Sequence, residues 1–180
     1  VSEEFGQYYA RLPLKKAPNL VHGNALRMDW NEVVPAHRLS YLLGNPPFVG
    51  KKEQNAEQKS DLLRVFNDQK GVGVLDYVCC WYRKAADYMA ENPAIRAAFV
   101  STNSITQGEQ TGILWPDILR RGVKIHFAHR TFQWSNEARG KAAVHCVIIG
   151  FGLSDAVEKY LFDYDTPKSE PHAIKARNIN

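Results

Sequence analysis

The fold is decided by one stretch of the sequence, Leu39-Ser40-Tyr41-Leu42-Leu43-Gly44-Asn45-Pro46-Pro47-Phe48, in which an apolar run ends in two prolines. A short apolar run bounded by turn residues predicts a buried β-strand. Proline has a fixed φ and no backbone N–H, so the pair can continue neither a strand nor a helix. The stretch therefore predicts a strand that ends near Gly44 and leads into a stiff loop.

Outward from this loop, strand signals alternate with helix signals. Between Leu75 and Met89, apolar residues recur at i, i+3, i+4, i+7, i+10, i+11 and i+14, which is one continuous face of an α-helix. The other predicted elements are strands at 19–23, 97–101, 123–127 and 142–151, a short helix after Ser60 and a weaker helix at 107–119. This order predicts an α/β fold with a partial doubly wound (Rossmann-like) sheet that is mostly parallel. No helix separates the last two strands, so we expect a terminal antiparallel hairpin around a polar loop at 131–141.

The composition changes after Ser154, where two prolines and a basic end follow. We therefore expect two parts, a domain at 1–153 and an extended connector at 154–180 that leads to a further domain. The chain begins at Val1 rather than at Met, which is typical of a segment cut from a longer protein.

Composition excludes several classes of protein. No apolar run approaches the roughly 20 residues of a membrane helix, and no secretory signal is present, so we expect a cytoplasmic protein. The three cysteines, Cys79, Cys80 and Cys146, form neither a disulfide framework nor a zinc motif. They are predicted to be buried thiols, and no metal is expected.

The formal net charge is +4, and the basic residues are unevenly distributed. One stretch carries a single acid, Glu137, against six basic residues: Arg120, Arg121, Lys124, Arg130, Arg139 and Lys141. Such a stretch either meets phosphates or is a solvated loop with a chance excess of charge.

The proline loop has a specific chemical capacity. Two prolines remove two N–H groups, which leaves the Pro46 carbonyl free to accept a hydrogen bond beside the side-chain oxygen of Asn45. Two neighbouring acceptors can hold both hydrogens of one –NH2 group, and Phe48 offers a flat face for a planar ring. This arrangement suits an amine that is conjugated to an aromatic ring or belongs to an amide.

The same four residues carry a family resemblance. Asn45-Pro46-Pro47-Phe48 resembles the Asn/Asp/Ser-Pro-Pro-aromatic motif of amino-group methyltransferases. Together with the segments 19–30, 76–86, 99–105 and 132–151, it is similar to the methyltransferase region of MmeI-like proteins, which are single-chain Type II restriction-modification enzymes. The resemblance extends over roughly residues 19–180.

The resemblance implies methylation of the exocyclic amino group of adenine in double-stranded DNA, with S-adenosylmethionine as cofactor and the adenine flipped out of the helix. It places residues 1–153 in the C-terminal part of the catalytic domain and 154–180 before a target-recognition domain. The implied catalytic residues are Asn45, Pro46, Pro47 and Phe48, and the implied cofactor contacts are Asn24, Ala25 and Asn45. Phe48, Phe132 and Trp134 are the implied base-stacking residues, and Arg130, Arg139 and Lys141 the implied contacts to the DNA backbone. Asn24 is otherwise a turn residue, and Phe132 and Trp134 are otherwise core residues.

The sequence departs from the class I methyltransferase pattern at one point. The glycine-rich loop that cradles the methionine half of the cofactor is not found, nor is the acid that holds its ribose. Gly71-Val72-Gly73 follows the catalytic motif and precedes the wrong helix. We therefore expect an incomplete cofactor site and no activity from this segment alone.

Three alternatives remain open from the sequence. A protein methyltransferase that acts on a glutamine amide has the same Asn-Pro-Pro-aromatic motif, although the long tail after Gly152 argues against it. Methylation of the cytosine amino group is the second alternative, although its enzymes more often begin the motif with Ser. The third is a non-catalytic DNA-binding or scaffold module, favoured by the missing cofactor loop.

Overall fold

A computed structural model describes residues 19–134 and 144–179. Within them, six strands form one sheet, and four α-helices accompany it. The strands are β1 (Tyr41–Gly44), β2 (Arg96–Thr102), β3 (Lys124–Trp134), β4 (Val144–Gly152), β5 (Lys159–Asp163) and β6 (His172–Ala176). The helices are α1 (Trp30–Val33), α2 (Ala56–Val65), α3 (Cys79–Met89) and α4 (Gly108–Arg120). The α/β class predicted from the sequence is confirmed.

The sheet is mixed, with the strand order β1-β2-β4-β3-β5-β6. β1 pairs with β2 and β3 with β5 in parallel, whereas the β2–β4, β3–β4 and β5–β6 pairs are antiparallel. Four strands therefore run in one direction, and β4 and β6 run in the other. The predicted antiparallel hairpin is the β3–β4 pair.

The core lies between one face of the sheet and helices α3 and α4. Tyr82 of α3 is fully buried, and its ring lies 5.3 Å from Phe99 of β2 and 5.3 Å from Phe151 of β4. Its hydroxyl forms a 2.8 Å hydrogen bond with Ser101. Trp115 of α4 packs edge-on against the same ring at 5.7 Å. The apolar helical face predicted between Leu75 and Met89 is thus the face that covers the sheet.

The other face of the sheet is more exposed near β1. Leu42 packs against the core, but its neighbours Tyr41 and Leu43 are 64% and 74% exposed. Successive strand residues point to opposite faces, so these two side chains lie on the face away from α3. Among the described residues, this part of the sheet has no helical cover.

In the N-terminal half, two elements differ from the sequence prediction. Residues 19–23 form no strand. Helix α2 begins earlier than predicted, at Ala56, because Asn55 and Gln58 form a capping box. The Asn55 side chain accepts from the Gln58 N–H at 2.8 Å, and the Gln58 side chain accepts from the Asn55 N–H at 3.0 Å.

The C-terminal segment extends the sheet. Strands β5 and β6 lie within the predicted connector at 154–180, and β5 pairs with β3. Strand β3 itself continues to Trp134, into the segment predicted as a loop. Both differences arise from pairing between distant parts of the chain, which local patterns do not reveal.

The remaining features concern cysteines and membrane helices. Cys79, Cys80 and Cys146 are buried and unpaired, as predicted. Burial raises the pKa of the Cys80 thiol to about 12, so it stays protonated at neutral pH. Over the described ranges, no helix is long and apolar enough to cross a membrane.

Candidate functional site

The proline loop begins where β1 ends. Gly44 pairs with Phe99 of β2, and a Cβ at this position would lie 3.1 Å from the Phe99 ring. Pro46 is buried and Phe48 half-buried, while Asn45 and Pro47 are exposed. The Asn45 side chain has no hydrogen-bond partner among the described residues, so its oxygen is available to a ligand.

Hydrogen bonds also hold the segment that follows the loop, at Val49 and Lys51. The Val49 carbonyl accepts a hydrogen bond from the Tyr77 N–H at 2.9 Å and one from the Gln54 side chain at 3.4 Å. The Lys51 N–H donates to the carboxylate of Asp76 at 3.2 Å. Pairing of β1 before the loop and these bonds after it restrict the positions of Asn45 and Pro46.

Phe132 lies at the same edge of the sheet as the loop. β1 and β2 are parallel, so their carboxyl ends meet at one edge. Thr102 at the end of β2 pairs with Cys146, which pairs with Phe132. Three strand spacings separate β3 from β1 in the strand order, about 14 Å at the backbone. The tertiary structure therefore brings two predicted base-stacking residues, Phe48 and Phe132, to one edge.

Phe132 belongs to an aromatic cluster that the sequence did not reveal. Its half-buried ring stacks on Tyr164 with centroids 5.6 Å apart. The Tyr164 hydroxyl forms a 2.7 Å hydrogen bond with Nδ1 of His129, and His129 stacks on Phe162 at 4.3 Å. Burial lowers the pKa of His129, which favours the neutral imidazole. The Trp134 backbone pairs with Val144, but its side chain lies outside the described part of the chain.

The predicted cofactor residues Asn24 and Ala25 lie in a half-buried turn. The Asn24 side-chain oxygen accepts from the Leu26 N–H at 3.0 Å, and its nitrogen donates to Asp61 at 2.8 Å. The Ala25 carbonyl accepts from the Trp30 indole at 2.9 Å. These bonds match the role of Asn24 as a turn residue and leave one lone pair of its side-chain oxygen for a ligand.

Asp61 of α2 connects this turn to Tyr77, which lies just before α3. It is 1% exposed and accepts hydrogen bonds from Arg27 at 2.7 Å, from the Tyr77 hydroxyl at 2.8 Å and from Arg64 at 3.0 Å. Burial alone would raise the pKa of Asp61, but the hydrogen bonds from Arg27, Tyr77 and Asn24 outweigh it and lower the pKa. The turn is therefore held by an ionised, buried carboxylate.

A cavity of about 900 Å³ lies between α4 and the sheet. It is lined largely by apolar side chains, among them Trp115, Leu119, Ile125, Val147, Ile149 and Leu161. Neither Asn24 nor Asn45 lines it. The predicted amine and cofactor acceptors therefore do not line this cavity, although Thr131, next to Phe132, does.

The basic residues are partly neutralised by acids. Arg130 pairs with Asp163 at 2.7 Å, and Arg121 pairs with Asp87 and Asp117. Arg139 and Lys141 lie outside the described residues. No group of three His, Cys, Asp or Glu side chains in the part of the chain that the structure describes is placed to hold a metal ion.

Comparison with known proteins gives consistent matches. The family described as "MmeI, DNA-methyltransferase domain" matches residues 1–163. DNA methyltransferase A of Bacillus subtilis (strain 168) is 46% identical over 175 residues, which are 93% of this chain and 20% of that protein. The structure of the Type IIL restriction-modification enzyme MmeI in complex with DNA is 59% identical, with a TM-score of 0.90 over 99% of this chain and 24% of that one. The chain therefore spans about a fifth to a quarter of the length of these two proteins.

Proposed function

Because the chain belongs to the MmeI DNA-methyltransferase domain family, we propose that it is part of an enzyme that transfers a methyl group from S-adenosylmethionine to the exocyclic amino group of adenine in DNA. The observation that carries the proposal is the loop Asn45–Phe48, which is anchored on both sides and presents an exposed Asn45 side chain.

The loop acts on the target amine through two acceptors. Asn45 Oδ1 and the Pro46 carbonyl accept the two amino hydrogens, and Phe48 stacks on the purine ring. Hydrogen bonds directed out of the ring plane weaken the conjugation of the amine, so that its lone pair points toward the methyl group. Neither acceptor is a strong base, so the chain contributes alignment and electrostatics rather than proton abstraction.

S-adenosylmethionine, when bound, supplies the electrophilic methyl group. The described residues fit only its adenine end, because the side-chain oxygen of Asn24 retains one lone pair beside the Ala25 backbone. Residues earlier in the parent protein would hold the methionine half. Helices from that part, packed on the exposed face around Tyr41 and Leu43, would complete the doubly wound sheet.

Double-stranded DNA is the proposed partner, with the adenine flipped toward the proline loop. The position of Phe132 at the same edge supports stacking of the base between Phe48 and either Phe132 or Trp134. Arg130, Arg139 and Lys141 would meet the DNA backbone, and Arg130 would first have to exchange its pair with Asp163. The segment 154–180 would lead from the catalytic domain, proposed for 1–153, to a target-recognition domain.

The test uses the full-length parent protein, radiolabelled S-adenosylmethionine and mixed-sequence duplex DNA, followed by digestion and identification of the labelled nucleoside. Label on the adenine amino group supports the proposal. Label on cytosine, or on glutamine of a co-purifying protein, assigns the loop to a different amine. Absence of label with retained DNA binding indicates a scaffold module.

The same assay tests the Asn45 role. Asn45→Ala is expected to lower kcat by roughly 10²–10³-fold, because one of the two acceptors is lost, while DNA binding is kept. The matched control is Asn178→Ala, which changes an exposed asparagine just after β6. Strand β6 is the outer strand on the side of the sheet opposite to β1. Normal methylation by Asn45→Ala would show that the loop does not carry the chemistry.

A further inference from the structure

A buried carboxylate lies directly behind the proline loop. Asp76 precedes α3 and is only 6% exposed. Helix α3 has no side-chain cap, so this carboxylate is not used at the helix N-terminus. It faces the loop instead.

The two carboxylate oxygens of Asp76 join two parts of the site. Oδ1 accepts the Lys51 N–H at 3.2 Å, three residues after Phe48. Oδ2 accepts the hydroxyl of Thr102 at 3.3 Å and that of Ser104. Thr102 ends β2, so one side chain ties the end of the catalytic loop to the edge of the sheet where β2 ends.

Backbone N–H groups at and next to Asp76 form two further hydrogen bonds, one to α4 and one to the segment that follows the loop. Its N–H donates to the Gln110 side chain of α4 at 2.8 Å, and the next N–H, that of Tyr77, donates to Val49. The buried Gln54 side chain bridges the Leu75 carbonyl at 2.9 Å and the Val49 carbonyl at 3.4 Å. The segment Leu75–Tyr77 thus forms a rigid support under the loop.

From these contacts we infer that Asp76 is a positioning residue for the Asn45–Phe48 loop, an inference that rests on the proposed function. Asp76 touches neither Asn45 nor Pro46; it acts through the Lys51 backbone. A carboxylate suits this role because its two oxygens point in different directions, so one can bond the loop while the other bonds two hydroxyls. Without it, the loop keeps its anchor at Gly44 but loses part of its anchor after Phe48.

The test compares variants of the full-length parent in single-turnover methyl transfer, with binding of S-adenosylmethionine and DNA measured separately. Asp76→Ala is expected to slow the chemical step by roughly 10²-fold, since small displacements of aligned groups have effects of this size. Its dissociation constants should stay within roughly threefold of wild type. Asp76→Asn should recover most of the rate, because its oxygen still accepts the Lys51 N–H and its nitrogen can bond a hydroxyl oxygen.

Asp117→Ala is the matched control. Asp117 is similarly buried, at 7% exposure, but it pairs with Arg83 at 3.0 Å, away from the loop. This variant should lose stability without slowing methyl transfer at a temperature where it is folded. Equal slowing in both variants, or an unchanged rate in Asp76→Ala, would overturn the inference. If Asp76→Ala does not fold, Ser104→Ala carries the test; a loss of severalfold in rate with unchanged binding supports the role, and no loss refutes it.

If the wild-type parent does not label adenine, the proposed function is refuted, but the positioning of the loop by Asp76 is not. The two ideas are therefore separated within one series of measurements.

Discussion

Replacement of Asp61 by alanine is expected to lower the free energy of unfolding strongly, although Asp61 is a buried polar residue and not part of the apolar core. The carboxylate is 1% exposed, and it accepts bonds from the Tyr77 hydroxyl and the Asn24 amide, each at 2.8 Å. Asp61→Ala leaves both donors without an acceptor. At about 1–2 kcal/mol for each unsatisfied group, the free energy of unfolding should fall by about 2–4 kcal/mol. For a chain of this size, that corresponds to a decrease in Tm of about 4–16 °C.

The effect should depend on pH in a defined direction. Since the folded-state pKa of Asp61 is lowered, its carboxylate stabilises the protein above the unfolded-state pKa of about 3.9. This contribution is lost as the pH falls below that value and through the lower folded-state pKa. The difference in stability between wild type and Asp61→Ala should therefore be largest at pH 7 and become smaller as the pH falls below about 3.9.

Urea unfolding of the 180-residue chain between pH 7 and pH 3 measures both effects. The control is Glu158→Gln, which removes an exposed ion pair with Lys175 and should not change stability measurably. A difference between wild type and Asp61→Ala that stays constant down to pH 3 would show that the carboxylate charge contributes nothing. If Asp61→Ala lowers the free energy of unfolding by less than about 1 kcal/mol at pH 7, water replaces the lost acceptor.

Two further predictions concern packing and the cofactor. Gly150→Ala should lower the free energy of unfolding by about 1–3 kcal/mol, because its Cβ would lie 2.1 Å from the Phe127 ring. Gly112→Ala in α4, where no atom lies within 4 Å of the new methyl group, should instead stabilise by up to about 1 kcal/mol; equal changes in urea unfolding would contradict this account. In calorimetric titration, the 180-residue chain should bind S-adenosylmethionine at least about tenfold more weakly than the parent protein, because on the proposed function its described residues hold only the adenine end of the cofactor. Equal affinities would mean that the cofactor site is complete in this chain.

Local sequence patterns predicted the elements whose cause is local. The face of α3 follows from apolar spacing, and the end of β1 follows from Pro46 and Pro47. The start of α2 is also encoded locally, since Asn55 and Gln58 stand three residues apart and form a capping box. The C-terminal strands were missed because β5 is defined by its pairing with β3, more than 20 residues earlier along the chain.

The features of the candidate site are likewise of two kinds, those set by the local sequence and those set by the tertiary structure. The sequence alone determined that a rigid loop with two acceptors and an aromatic ring follows a strand, because proline restricts the backbone whatever surrounds it. Only the tertiary structure decided that Phe132 lies at the same edge, that Tyr164 supports its ring, and that Asp76 ties the loop to Thr102. These relations join residues far apart in the chain. Their positions depend on strand register and helix packing, which no short-range pattern specifies.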